Sequence, residues 1–438
     1  MPKNKNPILR YEYDRISHDP LVGELTKLYV QDENWAKYLK VNGSSVAFRH
    51  YVGTFKTREY RVTILPKIWK GGSLSEAKGV RNLFRFLLYT YLTPPLFKPD
   101  TEMASHYESK DLFELLILFY SVTLEKQLNQ GMYRKYVRTQ EESRYLKGKL
   151  NLKKQINRLD KSAFDITDFR FSADNKMNRF FAYSTELFSV FAQDPRSLDL
   201  LSYLRMLFRS EGVSGAVLPS QVDFDRLNER FQIPYNYADL ILRHLRPELG
   251  NDRRIMMMLF DMNTVFQEFF LRFVRRNSSS IFSGMTAHIC PPRRKKNFIL
   301  NGKTAVRYTI PDLKIDITGK EGKRTFVLDM KYKIMKDITI EESTLSSDDE
   351  VFRISQSDLY QMFAYSELYD SEGTVLVFPG QRSELKGPYR FKEQGRLLWI
   401  YMLNTDLDRS DWEKVLTEDF KKAFRKIWEF QADAGDVS

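Results

Sequence analysis

Cysteine is almost absent from this chain, because its 438 residues include only one, Cys290. A single cysteine excludes an intramolecular disulfide framework and a cysteine-rich zinc site, and it fits a reducing cytosol. The histidines show no metal-ligand spacing either; they are His18, His50, His106, His244 and His288. We therefore expect Cys290 to be a small core residue and the histidines to be structural or surface residues.

Long apolar runs are also missing. No stretch of about 18 apolar residues occurs, so the sequence predicts no membrane-spanning helix. The N-terminal residues MPKNKNPILRYEYDR lack the apolar segment of a signal peptide. The phosphate-binding pattern G-x-x-x-x-G-K-[ST] does not occur, so we expect the chain itself to bind no nucleotide. These absences predict a cytoplasmic protein that does not act at a membrane.

What the sequence does contain is ample core material and an excess of positive charge. Apolar residues make up 42% and aromatic residues 14%, which excludes a disordered or collagen-like chain. Lysine and arginine number 69 against 57 acidic residues, and the net charge of +12 fits an anionic partner. A single core rarely grows past about 250–300 residues, so we expect two or three domains.

Apolar patterning changes twice along the chain. Residues 1–100 begin with alternating β-branched and aromatic residues, as in Tyr60–Leu65, and Pro66 ends that ladder because it has no N–H to donate. Residues 101–250 carry apolar clusters typical of buried helices. Residues 251–438 mix strands with flanking helices, which indicates an α/β domain. We predict a multidomain α+β protein with a β-rich N-terminal domain, a mainly helical middle region and a C-terminal α/β domain.

The C-terminal part has the clearest element pattern. A long amphipathic helix is predicted over Asp252–Arg276, because four phenylalanines recur at i, i+3, i+4 and i+7; they are Phe266, Phe269, Phe270 and Phe273. Further helices are expected at 355–369 and 411–430. Strands are expected near 286–290, 306–318, 324–333, 373–379 and 396–403.

The strongest chemical signal lies in a predicted hairpin of this part. Asp312 starts one strand, and the triplet Asp329-Met330-Lys331 lies in the next, with a turn at Gly319–Lys323. Since strand side chains repeat every two residues, Asp329 and Lys331 point to one face and Met330 to the other. Asp312 can converge on that acid–lysine pair across the hairpin.

This set of residues suits phosphodiester hydrolysis. Two carboxylates are ligands of the kind that Mg²⁺ prefers, and the ion would neutralise phosphate charge and lower the pKa of a bound water. A lysine beside it would orient that water or stabilise the oxyanion. Burial would lower the pKa of Lys331 and the acids would raise it, and the sequence leaves this balance open. The alternative interpretation is a charged edge strand whose side chains face water.

A helix predicted after the hairpin adds an amide and a tyrosine. The segment Ser355–Asp358 has the form of a capping box, and Gln361 and Tyr365 share one face of the helix that follows because they are four residues apart. Gln361 is a candidate catalytic residue that would bond a DNA phosphate or the metal-bound water. Tyr365 is a candidate DNA contact. The alternative is a solvated glutamine beside a core tyrosine.

Two basic segments are candidates for contact with an anionic partner. Residues 134–158 hold nine lysines and arginines against two acids, interleaved with tyrosines. They would contact duplex phosphates or an acidic face of a partner ring, and the alternative is a solvated helix face. The second segment precedes the hairpin, and there we favour contact with the DNA backbone over a plain surface loop; it comprises Arg293, Arg294, Lys295 and Lys296.

Pro311-Asp312 followed by Asp329-Met330-Lys331 matches the motif of the PD-(D/E)xK nuclease superfamily. Around this motif the chain resembles one family closely: McrC, the nuclease subunit of the McrBC 5-methylcytosine-specific restriction system. The resemblance covers roughly residues 45–380. Its blocks occur in the family's order, and they are Tyr51–Gly53, Ile64–Ile68, Leu146–Leu150, Asp261–Phe266, Leu328–Tyr332 and Ile354–Tyr365.

The resemblance implies a restriction-endonuclease-like domain over residues 251–438. Its cofactor would be Mg²⁺, with Mn²⁺ able to substitute, held by Asp312, Asp329 and the main-chain carbonyl of Met330. The implied partner is an McrB-like AAA+ GTPase hexamer, which docks on residues 1–100 and is stimulated in GTP hydrolysis. The implied substrate is double-stranded DNA carrying modified cytosine.

One departure from the family concerns the predicted long helix. The family usually has a glutamate directly after Phe266, where this chain has Gln267, followed by Glu268. Helical geometry places Glu268 opposite the phenylalanine stripe, beside Arg272, so we interpret it as a solvated ion-pair partner rather than a metal ligand. Neither Gln267 nor Glu268 is assigned to the site.

Two alternatives to this function stay open at the level of sequence. The first is a stand-alone nuclease on the same fold, which would cut DNA without any GTPase. The second is a non-catalytic adaptor that only binds and activates an AAA+ ring. The intact set of Asp312, Asp329 and Lys331 disfavours the adaptor, because an adaptor has no need for two acids and a lysine that converge.

Overall fold

A computed structural model describes residues 8–17, 20–31, 33–57, 60–70, 76–92, 111–157, 159–160, 162–215, 217, 222–250, 253–290, 296–301, 304–319, 322–334, 354–391 and 395–430. Its strands are β1 (Ile8–Tyr11), β2 (Leu39–Asn42), β3 (Ser45–Phe48), β4 (Tyr51–Lys56), β5 (Arg61–Leu65), β6 (Lys135–Ser143), β7 (Lys149–Leu150), β8 (Phe164–Ser172), β9 (Leu245–Gly250), β10 (Arg253–Asp261), β11 (Thr286–Cys290), β12 (Lys296–Asn301), β13 (Thr304–Thr309), β14 (Leu313–Gly319), β15 (Gly322–Met330), β16 (Gly373–Gly380), β17 (Glu384–Arg390) and β18 (Leu397–Asn404).

The α-helices are α1 (Pro20–Gln31), α2 (Glu76–Tyr91), α3 (Leu112–Leu128), α4 (Leu152–Ile156), α5 (Lys176–Phe191), α6 (Pro195–Ser210), α7 (Gln232–His244), α8 (Met262–Arg276), α9 (Ser278–Ile281), α10 (Gln356–Leu368) and α11 (Trp412–Glu429). Among the described helices, none combines the length and the apolar character needed to cross a membrane. The mixture of helices with several sheets confirms the predicted α+β class.

The chain divides into two compact units. The second unit is a middle segment, Lys56–Arg58 with Pro94–Met258, and the first unit contains both ends of the chain, Met1–Phe55, Glu59–Thr93 and Leu259–Ser438. The predicted division of roles among residues 1–100, 101–250 and 251–438 stays a prediction.

The N-terminal part of the first unit is built around a sheet in which β1, β5 and β4 are neighbours in that order. Strands β1 and β5 run parallel, and Tyr11 lies opposite Leu65. Val62 and Ile64 are fully buried, and so is Thr63 on the opposite face, so both faces of β5 are covered there. Pro66 follows β5 directly, and the chain leaves the ladder there.

The C-terminal part of the same unit holds a mixed sheet of order β11-β14-β15-β16-β18-β17. Strands β14 and β15 form an antiparallel hairpin, while β16 and β18 run parallel to β15. All but the last residue of β16 and of β18 is buried, which explains their continuous apolar sequences. This sheet carries the predicted hairpin at its centre.

Helices cover both faces of the mixed sheet. Met362 and Tyr365 of α10 pack in one cluster with Val327 and Leu376. Phe424 of α11 contacts the ring of Phe326 with 5.3 Å between ring centroids. Because neighbouring strand residues point to opposite faces, Val327 and Phe326 place these two helices on opposite sides of β15.

Helix α2 ties the N-terminal part of the first unit to the segment after β18. The guanidinium of Arg81 donates two hydrogen bonds to the carboxylate of Asp408, at 3.1 and 3.0 Å. The buried amide oxygen of Asn82 accepts from the N–H of Leu407 at 2.7 Å. Bidentate arginine–carboxylate geometry fixes orientation as well as distance, so this junction is well defined.

The second unit combines α3, α5, α6 and α7 with a three-stranded antiparallel sheet of order β6-β8-β7. The buried hydroxyl of Tyr120 on α3 donates to the carbonyl of Phe181 on α5 at 3.1 Å. Gly148 precedes β7 with φ +70°, and a Cβ there would lie 2.5 Å from the carbonyl oxygen of Thr167. Only glycine fits this close approach to β8, so the Leu146–Leu150 block has a structural reason.

One prediction of secondary structure was wrong. The helix predicted over Asp252–Arg276 begins at Met262, because Arg253–Asp261 forms β10 and the Asp261 side chain accepts from the N–H of Asn263 as an N-cap. The run IMMMLF at 255–260 is apolar without a clear period, so periodicity does not separate strand from helix there. Residues 134–158 lie mainly on β6, β7 and the short α4, so the alternative interpretation of this segment as a solvated helix face does not hold.

Candidate active site

The hairpin brings the two predicted acids to one end of the mixed sheet. Asp312 directly precedes β14, and Asp329 is the penultimate residue of β15. Leu313 pairs with Leu328, so the two acids are close neighbours across the hairpin. Lys331 follows β15, and its N–H donates to the carbonyl of Val377 at 2.9 Å, which extends the ladder to β16.

Both carboxylate oxygens of Asp312 accept a hydrogen bond. Its Oδ2 accepts from the N–H of Met330 at 2.7 Å, and its Oδ1 accepts from Nε2 of Gln267 on α8 at 2.5 Å. Gln267 therefore belongs to the site, although the sequence left it unassigned. The family departure at this position was the one signal that pointed to it.

The ammonium group of Lys331 lies between an acid and an amide. Its Nζ is 2.7 Å from Oδ2 of Asp329, whose side chain is buried, and it donates to Oε1 of Gln361 at 2.8 Å. Two residues further on, Lys333 pairs with Asp358, which is also 3.6 Å from Lys331. The predicted acid–lysine pair and Gln361 thus form one connected cluster.

Helix α10 supplies the support behind Lys331. Ser355 caps it by accepting from the N–H of Asp358, as predicted, at 3.2 Å. Nε2 of Gln361 donates to the hydroxyl of Tyr365, which in turn donates to the carbonyl of Ile310, both at 2.8 Å. The Tyr365 side chain is 2% exposed, so the structure places this predicted DNA contact behind Gln361, where it orients the amide.

Burial and charge together shift the pKa values of the site. Burial, with the neighbouring charge of Asp329, raises the pKa of Asp312 to about 7. Burial also raises the pKa of Asp329, although the Lys331 ammonium opposes this. For Lys331, burial acts to lower the pKa, but the carboxylate of Asp329 outweighs it and the pKa is raised. The sequence left open whether burial or the neighbouring acids decide the pKa of Lys331. In the structure the acids prevail, which favours the charged form of the lysine.

The donor chemistry of this cluster fits a hard divalent cation. Asp312 and Asp329 supply carboxylate oxygens, and their mutual repulsion would be relieved by a cation between them. No group of three or more histidine, cysteine, aspartate or glutamate side chains able to hold a metal occurs among the described residues. Two carboxylates are nevertheless sufficient for Mg²⁺, which usually keeps several of its waters.

The second basic segment lies mostly outside the described residues. Arg293, Arg294 and Lys295 are not described, and Lys296 is described only as the first backbone position of β12. The chain enters the segment from Cys290, the last residue of β11, which pairs with Lys314 on β14. It leaves through the β12–β13 hairpin, whose last residue, Thr309, accepts a hydrogen bond at 3.1 Å from Tyr369, the residue that follows α10.

The fold and the cluster define a mixed-sheet domain with a carboxylate–lysine site of the PD-(D/E)xK type. The family model described as McrBC 5-methylcytosine restriction system component matches residues 46–379. Since this match spans most of the chain, the protein belongs to that family, and the resemblance predicted from the sequence is confirmed. No curated protein matches the chain.

Chains in two solved structures are similar to this one. A chain in a refined half-complex from a tetradecameric assembly of Thermococcus gammatolerans McrB AAA+ hexamers with bound McrC superposes with a TM-score of 0.68 at 20% identity, over 96% of this chain and 100% of that one. A cryo-EM structure of the Thermococcus gammatolerans McrBC complex gives a TM-score of 0.46 at 23% identity, over 62% of this chain and 88% of that one. At such identity, the first similarity is evidence for the fold alone.

Proposed function

We propose that this chain is the Mg²⁺-dependent DNA endonuclease subunit of an McrBC-like restriction complex and that it stimulates GTP hydrolysis by an AAA+ partner. The observation that carries the proposal is the connected cluster of Asp312, Asp329, Lys331 and Gln361 on a mixed sheet, in a member of a restriction-system family. An adaptor has no need of this buried and costly arrangement.

Each side chain of the cluster has a separate role in phosphodiester hydrolysis. Asp312, Asp329 and the main-chain carbonyl of Met330 would hold the Mg²⁺ ion, which neutralises phosphate charge and lowers the pKa of a bound water. Lys331 carries a proton, so it acts as a donor that orients the attacking water or stabilises the oxyanion. Gln361 fixes the direction of that donor through its contact with Nζ.

Direct cleavage assays test this function against its alternatives. Plasmid DNA with and without modified cytosine is incubated with the full chain in Mg²⁺, with and without the AAA+ partner, in GTP or ATP. Cleavage that depends on Mg²⁺, on the partner and on cytosine modification supports the proposal. Rapid cutting without the partner would favour the stand-alone nuclease, and partner activation without any cutting would favour the adaptor.

We also propose that the segment Arg293–Lys296 contacts the DNA backbone. Strand β11, which precedes the segment, ends with Cys290 opposite Lys314 on β14, and strand β12, which follows, begins with Lys296 opposite Thr309 on β13. Four cations there would bind phosphates and release condensed counterions. Such contacts add affinity without reading the sequence.

Replacing Arg293, Arg294, Lys295 and Lys296 by alanine is expected to weaken DNA binding mainly at low salt. The slope of log affinity against log salt should fall by about 0.9 for each phosphate contact that is lost. Filter binding or anisotropy over a salt series measures this slope, on modified and unmodified duplexes alike. A control with the same charge change removes four cations of α11, which are Lys414, Lys422, Arg425 and Lys426. An unchanged slope together with loss of partner binding would assign the segment to the protein interface.

The proposed partner is an AAA+ GTPase ring, because a chain with the same fold occurs in an assembly of McrB AAA+ hexamers with bound McrC. The second unit offers a suitable surface on β6 and β8, which we call the aromatic face: Tyr136, Arg138, Phe169 and Phe171. These side chains are exposed, with Tyr136 at 68%, and the rings of Tyr136 and Phe171 are 5.2 Å apart. Exposed aromatic and arginine side chains are typical of the energetic centres of protein interfaces. Docking on residues 1–100 stays the competing prediction.

Gln267→Glu is expected to lower the Mg²⁺ concentration that DNA cleavage requires. The substitution places a third carboxylate next to Oδ1 of Asp312, which adds a hard ligand when the ion is present and charge repulsion when it is absent. The Mg²⁺ concentration for half-maximal cleavage should fall by about tenfold, the scale of ligand-shell effects. The matched control is Glu268→Gln on the adjacent position of α8. If both variants respond to Mg²⁺ as the wild type does, Gln267 does not lie against the metal site.

A further inference from the structure

Tyr332 follows Lys331 directly and points the opposite way. While Nζ of Lys331 reaches Asp329 and Gln361, the ring of Tyr332 is buried and its hydroxyl donates to Oε1 of Glu12. Glu12 lies just after β1, 320 positions away in the sequence. The residue that follows Lys331 is therefore hydrogen-bonded to the N-terminal part of the first unit.

Glu12 is itself held in place by backbone bonds. Its N–H donates to the carbonyl of Leu65 at 3.0 Å, and its Oε1 also accepts from the N–H of Lys67 at 2.9 Å. The side chain is 1% exposed, so the carboxyl has little freedom to move. Because β1 pairs with β5 in register, these two bonds fix Glu12 relative to that sheet.

The ring of Tyr332 also touches the other side of the site. It packs against Phe266 on α8 with 6.2 Å between ring centroids, and Phe266 precedes Gln267, which donates to Asp312. Nζ of Lys67 lies 5.2 Å from the centre of the same ring. Tyr332 thus contacts both the N-terminal anchor and the helix that orients the first acid.

We propose that the buried Glu12–Tyr332 hydrogen bond is a positioning contact that holds Lys331 in its productive place, so that the N-terminal segment is part of the nuclease machinery. The proposal rests on the proposed function, in which Lys331 is the donor. Glu12 and Tyr332 are positioning residues, since neither side chain faces the reacting atoms.

The cost of the contact supports a role beyond packing. A buried carboxyl loses its hydration, and an apolar pair of similar volume would fill the same space without that loss. A phenylalanine would keep the ring contacts with Phe266 and Lys67 but not the bond to Glu12. The bond between the hydroxyl and the carboxyl fixes the distance between the β1–β5 sheet and the residue next to Lys331. This distance matters because small misplacements of catalytic groups reduce rates strongly.

Tyr332→Phe and Glu12→Leu test the proposal in the full chain with its partner and Mg²⁺. Each is expected to lower kcat by about tenfold while the KM for DNA stays unchanged, because the donor is displaced and DNA contacts are not. The double variant should lose no more than Glu12→Leu alone, because both substitutions remove the bond between Tyr332 and Glu12 and only Glu12→Leu also removes the bond from Lys67. Glu12→Gln should retain wild-type kcat, because its amide oxygen accepts from both Tyr332 and Lys67.

A control is Tyr89→Phe, which removes a partly buried tyrosine–glutamate hydrogen bond, to Glu413 at 2.7 Å, in the same unit. It should leave kcat unchanged. Amide exchange gives a readout that needs no activity: a peptide covering residues 328–334 should exchange faster in Tyr332→Phe and not in Tyr89→Phe.

The proposal fails if kcat and exchange of that peptide both stay at wild-type values, or if Glu12→Gln loses as much as Glu12→Leu. Failure of the proposed function looks different. In that case Lys331→Ala cuts as well as the wild type, or no chain cuts at all, and the exchange measurement alone then decides whether the bond positions the 331 peptide.

Discussion

The substitution Asp329→Asn should lower the rate of DNA cleavage by about 10³-fold without unfolding the chain. Asp329 is buried beside Lys331 and is proposed to hold the metal with Asp312. A metal ion contributes several kcal/mol to stabilising the transition-state charge, and about 1.4 kcal/mol corresponds to tenfold in rate. The amide has nearly the shape of the carboxylate, so the packing survives. Single-turnover plasmid nicking across a Mg²⁺ series measures the loss.

Lys331→Ala extends the same test to the donor. Loss of one donor to a developing oxyanion typically costs about 10²–10³ in kcat, so most activity should disappear. Because the lysine is not a ligand, Mg²⁺ should still bind to this variant in calorimetry, whereas binding should be weakened in Asp329→Asn. The two substitutions therefore separate metal binding from water or oxyanion stabilisation.

A second acid–lysine pair on the same hairpin provides the control. Lys314 and Asp316 are also two residues apart on a strand and are bonded at 2.8 Å, and Asp316 accepts from Thr325 as well. Asp316→Asn and Lys314→Ala should leave cleavage near the wild-type rate. If they impair cleavage as strongly as the changes at 329 and 331, the losses report damage to the hairpin and the site assignment is wrong.

The local geometry of this site could be predicted because it depends on short sequence spacing. The hairpin follows from two strands and a turn, and the two-residue strand period places Asp329 and Lys331 on one face. The four-residue spacing of Gln361 and Tyr365 on α10 similarly predicts the bond between their side chains.

The long-range contacts could not be predicted, because no local pattern encodes them. Gln267 reaches Asp312 across 45 positions, and Tyr332 reaches Glu12 across 320. Strand could also not be distinguished from helix where the apolar sequence has no period, as in β10. The sequence also did not predict that strand pairing brings Tyr136 of segment 134–158 together with Phe171 on an exposed sheet.

A triple variant is expected to abolish productive docking of the AAA+ ring; it replaces Tyr136, Phe169 and Phe171 by serine. Aromatic anchors at the centre of an interface are each worth about 2 kcal/mol or more, and 1.4 kcal/mol corresponds to tenfold in affinity. Even with incomplete additivity, the affinity for the ring should fall by at least about 100-fold. The stimulated GTP hydrolysis and the partner-dependent cleavage should be lost with it, while Mg²⁺ binding at the first unit remains.

Two further variants decide where the ring docks. Met206→Ser on α6 removes an exposed apolar side chain of the same unit, 72% exposed and outside the aromatic face, and should leave partner binding intact. Val30→Ser on α1, 77% exposed, tests the competing docking surface within residues 1–100. Weaker ring binding in Val30→Ser but not in the triple variant would place the dock on the N-terminal region. If the triple variant instead loses DNA affinity and keeps the ring, the aromatic face binds nucleic acid, because exposed aromatic rings also stack on bases.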